Sequence, residues 1–99
     1  MLTHWTQSFT PGPGGVLTDE VGTVTGDLVL RTEVDDDGAV LLRVKYAGAA
    51  EWYTVTGGRF DLGRSGDRAA RAEALHAEAV GILARGGADL TTARLTALE

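Results

Sequence analysis

The sequence contains no cysteine, which excludes disulfide bonds, thiolate zinc sites, iron–sulfur clusters and cysteine nucleophiles. It has no apolar run near the ~18 residues that a membrane span needs. Residues 1–7 lack the basic and apolar regions of a signal peptide. Asparagine is absent, and Lys45 is the single lysine among mostly arginine cations, a bias typical of GC-rich bacterial genomes. We therefore expect a bacterial, cytoplasmic protein with no membrane partner.

The overall composition is that of an ordinary globular protein. Its 99 residues are 43% hydrophobic and 23% charged, which predicts a single domain over residues 1–99. The net charge of −5 argues against coating nucleic acid through bulk positive charge. A chain this short buries only about 60–65% of its unfolded surface, so its stability is modest and association with a second copy would help.

Two kinds of hydrophobic periodicity predict the secondary structure. Alternation of apolar and polar residues predicts strands at 2–9, 21–34, 39–46, 51–56 and 59–62. Spacing of three and four predicts helices at 67–85 and 89–98. The fold class is therefore α+β, with an antiparallel four- to five-stranded β-meander, a helix packed on one face as a two-layer sandwich, and a short terminal helix.

The turns suggest how the strands pair. A three-residue loop of Asp35, Asp36 and Asp37 would pair Val34 with Gly38, whereas a five-residue loop would pair Val34 with Val40. Both keep the apolar faces aligned, and the shorter loop is preferred because Gly38 suits its bulge position. Gly57-Gly58 predicts a tight hairpin that returns residues 59–62 onto residues 51–56.

The helices are predicted from their ends and apolar stripes. Ser65 or Asp67 would cap the first helix, and Gly86-Gly87 would end it. Its buried stripe is Ala72, Leu75, Ala79, Ile82 and Leu83. The second helix carries Leu90, Ala93, Ala97 and Leu98 on one side, a stripe that could dock on a partner.

The sequence contains few groups of residues that could form a catalytic site. His4 and His76 are far apart in sequence, and neither Ser8 nor Ser65 lies in a nucleophile-elbow pattern. No local spacing of carboxylates and histidines suggests a metal site. We therefore expect no catalytic residue, no metal, no cofactor and no enzymatic activity.

A weak anion site is suggested where the last strand meets the first helix. Backbone amides at a helix N-terminus can hold a phosphate, and this loop carries cations beside it. Its residues are Arg64, Ser65, Gly66 and Arg68. An ordinary turn with a cap explains the same residues, and Asp67 would repel an anion.

The sheet face opposite the core is the feature that stands out. It would collect cations around a tryptophan, namely Arg31, Arg43, Lys45, Trp52 and Arg59. We expect this face to contact a second copy or another protein. The alternative is single-stranded nucleic acid stacked on Trp52. Two structural explanations compete: Lys45 and Trp52 could form a stabilising cation–π pair, or Trp5 and Phe9 could cover Trp52, Val29 and Leu41.

Overall fold

Alternating apolar residues build one six-stranded antiparallel sheet, and a helix packs on one of its faces. The computed structural model describes residues 2–63 and 66–98. The elements are β1 (Thr3–Phe9), β2 (Val16–Thr18), β3 (Gly22–Val24), β4 (Leu28–Val34), β5 (Ala39–Tyr46), β6 (Tyr53–Asp61), α1 (Arg68–Ala84) and a 3₁₀ turn, η1 (Thr96–Leu98). The strand order is β1-β4-β5-β6-β2-β3. The α+β sandwich is the predicted fold class, with more strands than expected.

The hairpin between β4 and β5 uses the longer of the two predicted loops. Val34 pairs with Val40, so the preferred three-residue loop is wrong. The Asp35 carboxylate explains the choice, because its Oδ1 accepts the N–H groups of Asp37 and Ala39, each at 2.9 Å. These bonds hold a five-residue turn closed. The apolar faces of the two strands remain aligned as predicted.

The glycine pair in β6 does not form a hairpin. β6 runs on along β5, with Arg43 opposite Thr54 and Leu41 opposite Arg59, and the residues between them bulge out. A Cβ on Gly57, whose φ is +76°, would lie 2.4 Å from the backbone nitrogen of Thr91. The pair is therefore a place where the C-terminal segment approaches the strand closely, and the predicted turn is wrong.

The predicted strand at 21–34 is two strands with a break between them. Gly26, with φ +88°, turns the chain between β3 and β4. β3 pairs with β2, a three-residue strand that was not predicted. β2 joins the sheet where Thr18 pairs with Val55, beside the bulge of β6.

The caps of α1 follow the sequence prediction. Asp67 Oδ1 accepts the N–H of Ala70 at 3.1 Å and starts the helix, whereas Ser65 lies outside the described residues. Gly86 and Gly87 end it, with the Gly87 N–H bonded to the Ile82 carbonyl at 2.9 Å. The predicted stripe is buried apart from Ile82, which is half-buried. The buried residues of α1 are Ala72, Leu75, His76, Ala79 and Leu83.

One polar pair lies inside the core between the sheet and α1. His76 Nδ1 is 2.7 Å from the hydroxyl of Thr32 on β4, and both side chains are buried. Burial lowers the pKa of His76, although the Glu73 carboxylate acts in the opposite direction. Burial and the bond to Thr32 therefore make His76 part of the packing between β4 and α1.

The C-terminal segment is not the predicted helix at 89–98. It is irregular, with a bend at residues 90–92, and ends in η1, where Glu78 accepts the N–H groups of Thr96 and Ala97. Leu90 and Leu95 are buried in the chain's own core, and Ala93, Ala97 and Leu98 pack against it. The apolar side chains predicted to dock on a partner are therefore used within the chain.

Among residues 2–63 and 66–98, no helix is both long and apolar enough to cross a membrane.

Candidate functional site

The face of the sheet opposite α1 is called the outer face here, and strand register fixes its composition. Three rows of side chains cross strands β1, β4 and β5 and end on or beside β6. The rows are His4, Glu33, Leu41 and Arg59; then Thr6, Arg31, Arg43 and Thr54; then Ser8, Val29, Lys45 and Trp52. All five residues proposed from the sequence for this face therefore belong to one surface.

Lys45 and Trp52 form the cation–π contact that the sequence offered as one structural explanation of this face. The Lys45 Nζ lies 5.3 Å from the centroid of the Trp52 ring, and it also donates to the Ala49 carbonyl at 2.9 Å. Trp52 immediately precedes β6 and is half-buried. The cation–π contact holds the ring against the sheet, so one side of Trp52 is already occupied by a cation.

Glu33 organises the centre of the outer face. Arg31 stands directly across from Arg43, and such a like-charged pair would repel without a carboxylate. Glu33 Oε2 accepts Arg31 Nε at 3.0 Å and Arg43 Nη2 at 2.9 Å. Burial acts to raise the pKa of Glu33, but these two bonds outweigh it and the pKa is lowered. The ionised Glu33 therefore fixes both guanidinium groups in place.

Glu20 is a further carboxylate of this face that sequence reasoning missed. It reaches from the β2–β3 loop and accepts the Thr54 N–H at 2.7 Å and the Thr54 hydroxyl at 2.8 Å. These bonds lower the pKa of Glu20 against the effect of burial. The position of Glu20 depends on the β2–β3 hairpin, so its role became visible only with that hairpin. Glu20 and Glu33 therefore stand among the four cations, and the register also places Asp61 on this face, two residues from Arg59.

Trp5 and Phe9 do not cover the outer face. Trp5 pairs with Thr32 and Phe9 with Leu28, so both rings lie on the core side against α1. The idea that they cover Trp52, Val29 and Leu41 is wrong, because β1 presents its other alternate residues to the outer face. Those residues, His4, Thr6 and Ser8, are exposed. Val29 and Leu41 remain half-buried.

An open groove of about 380 Å³ lies at the end of the first row. Apolar side chains of Leu2, Leu41 and Phe60 form part of its lining. Glu33 and Arg59 contribute charged groups to the same lining. The groove therefore extends the outer face with a recess in which an apolar side chain would also meet charged groups.

The other sequence candidates do not come together with this face. Arg64 and Ser65 of the suggested anion site lie outside the described residues, and Arg68 donates to the Asp36 carbonyl oxygen. His4 lies on the outer face, whereas His76 lies in the core on the other side of the sheet. Within residues 2–63 and 66–98, no group of three histidines and carboxylates could hold a metal ion.

Comparison with known proteins gives no relative: no family model, no curated protein and no solved structure matches the chain. The function is therefore argued from the outer face itself.

Proposed function

We propose that the chain is a small non-enzymatic binding module whose outer face contacts a protein partner. The observation that carries the proposal is a half-buried apolar set, Val29, Leu41 and Trp52, held among fixed charges on the face that α1 leaves uncovered. Tryptophan and arginine dominate the energetics of protein interfaces, and their cost of ordering falls when they are already positioned.

The charge arrangement favours a protein over a nucleic acid. Arg31 and Arg43 are both engaged by Glu33, and Glu20 lies at the end of the same row. A phosphate backbone requires several cations free to replace counterions. A protein surface of mixed charge fits a face that alternates cations, carboxylates and apolar side chains.

The composition supports a location for this module in the bacterial cytoplasm. A cysteine-free chain with mostly arginine cations suits the bacterial cytoplasm, where we place the module. We also propose that it works as a homodimer, since a chain of 99 residues has a small core and gains stability by association.

Site-directed photo-crosslinking in the host cell tests the outer face as a binding surface. A photoreactive residue at Leu41 should capture a defined protein, whereas one at Ala74, exposed on α1, should not. Adding Trp52→Ala or Arg59→Glu should lower the capture by about tenfold or more, because a truncated interface tryptophan is often a major loss. Equal capture at Leu41 and Ala74, or capture that ignores both substitutions, overturns the proposal.

The alternative function is binding of single-stranded nucleic acid on the same face, where Trp52 lies beside the cations Arg31, Arg43, Lys45 and Arg59. The two tryptophans lie on opposite faces, so Trp5→Phe leaves Trp52 as the reporter. Under this alternative, an oligonucleotide quenches the fluorescence of Trp5→Phe, less so as salt rises. The matched Trp52→Phe variant, which keeps Trp5, shows no quenching. Unchanged fluorescence of Trp5→Phe at low salt rejects the alternative.

A further inference from the structure

β1 forms one edge of the sheet and is paired on one side. Its seven residues, Thr3–Phe9, all pair with β4 without a bulge. Within the described part of the chain, no strand lies against its other side. An edge strand of this kind offers a row of backbone N–H and C=O groups to a further strand.

The usual protections of a sheet edge are missing from β1. Its sequence, THWTQSF, contains no lysine, arginine, carboxylate or proline, in a chain that is 23% charged. The opposite edge of the sheet, β3, has only three residues. Short edges and charged edges resist pairing, whereas a long uncharged edge invites it. The two edges are therefore unequal, and only β1 is long enough to carry an interface.

We infer that β1 pairs antiparallel with β1 of a second copy, so that the two six-stranded sheets join into one continuous sheet. The inference rests on the proposed homodimer and names its interface. It leaves the outer face of each copy free, and it places the two outer faces side by side on one surface. A partner that binds this surface would meet both copies at once.

The side chains of β1 favour β1 of a second copy as the strand that pairs with its free edge. With a twofold axis at Thr6, the two Thr6 side chains face each other, and His4 faces Ser8 of the second copy on the outer side. On the core side, Trp5 faces Gln7 and Phe9 faces Thr3, so each half-buried ring gains a polar but uncharged neighbour. Threonine pairs across antiparallel strands are favourable, and no like charges meet.

The charge distribution also favours β1 as the edge at which two copies meet. Each copy has a net charge of −5, so two copies repel over most of their surfaces. Joined at β1, the copies meet where neither carries a charge. The two Arg31 side chains would lie three strand spacings apart, about 14 Å. That separation exceeds the screening length of about 8 Å at physiological salt.

A charge swap at Thr6 tests the interface in the full chain by sedimentation equilibrium and native mass spectrometry. Wild type should be a dimer. Thr6→Glu and Thr6→Lys should each weaken self-association by about tenfold to a hundredfold, because like charges then face each other. An equimolar mixture of the two variants should restore a heterodimer. Thr23→Glu, the same change on the exposed residue of the β3 edge, should remain a dimer like wild type.

The glutamate introduced by Thr6→Glu would face Arg31, a favourable cross-strand pair within the monomer, whereas the lysine of Thr6→Lys would add a third cation to the row of Arg31 and Arg43. Circular dichroism should show both variants folded, with Thr6→Lys the less stable of the two. The inference is overturned if Thr6→Glu remains a dimer, if the mixture stays monomeric, or if wild type is a monomer. Dimers that persist in Thr6→Glu but dissociate in Trp52→Ala would move self-association to the outer face. Photo-capture at Leu41 by a monomeric wild type would overturn the β1 interface and leave the outer face as a binding surface.

Discussion

Replacing Leu90 and Leu95 together with alanine is expected to unfold the protein at room temperature. Both side chains are buried in the core, with exposures of 2% and 3%. Each leucine-to-alanine change in a core costs about 2–5 kcal/mol. The pair would remove most of the roughly 5–15 kcal/mol that stabilises a small domain. Circular dichroism with urea titration measures the loss directly.

Exposed residues of the same segment provide the control. Thr92→Ala and Arg94→Ala should change the free energy of unfolding by less than about 0.5 kcal/mol, because both side chains are exposed. A folded double-leucine variant that loses only its dimer would contradict the packing described above. It would restore the docking role that the sequence predicted for this segment.

Gly38→Ala is expected to destabilise the protein by about 3 kcal/mol or more. Gly38 has φ +88°, and a Cβ there would lie 2.2 Å from the carbonyl oxygen of Gly63. The Gly38 carbonyl also accepts the Leu62 N–H at 2.9 Å, so the two backbones cannot separate without losing a bond. The free energy of unfolding from denaturant titration gives the size of the effect.

Gly48→Ala is the matched control because it changes a glycine with a similar positive φ but without a close neighbour. The difference between the two variants therefore measures the cost of the contact with Gly63. Gly48 has φ +82°, yet a Cβ there would meet no atom within 4 Å. Its loss should be limited to the roughly 1–2 kcal/mol of a left-handed conformation in an L-residue. Equal losses in the two variants would show that the approach of Gly38 to Gly63 contributes nothing.

Most of the central sheet and α1 could be predicted because local chemistry there agrees with the final packing. The alternation in β4 and β5 fixes which side chains face the core, and Asp67 and Gly86 mark the helix ends. The outer face followed from the same alternation, which places its cations and Trp52 on one side of the sheet. The face assignments survive the wrong loop length, because both loops keep the parity of the strands.

The features that were missed depend on partners distant in sequence. Gly57 and Gly58 have the chemistry of a tight turn, but Thr91 lies against Gly57 and β5 continues to pair with the strand. The stripe around Leu90 has helical spacing, yet Leu90 is buried in the core from an irregular segment, and its N–H bonds to the Thr56 carbonyl of β6. Glu20 joins the outer face only through the β2–β3 hairpin. Tertiary contacts overrode local preference at each of these positions.

The position of β1 in the sheet also shapes how the protein is made on the ribosome. β1 leaves the exit tunnel before its pairing partner, β4, which ends at Val34. At about 5–20 residues per second, synthesis of residues 10–34 takes roughly 1–5 seconds. During that interval the uncharged β1 segment has no strand to join. An uncharged, strand-forming segment is therefore left unpaired while residues 10–34 are made, and in that time it can pair with another chain instead of with β4.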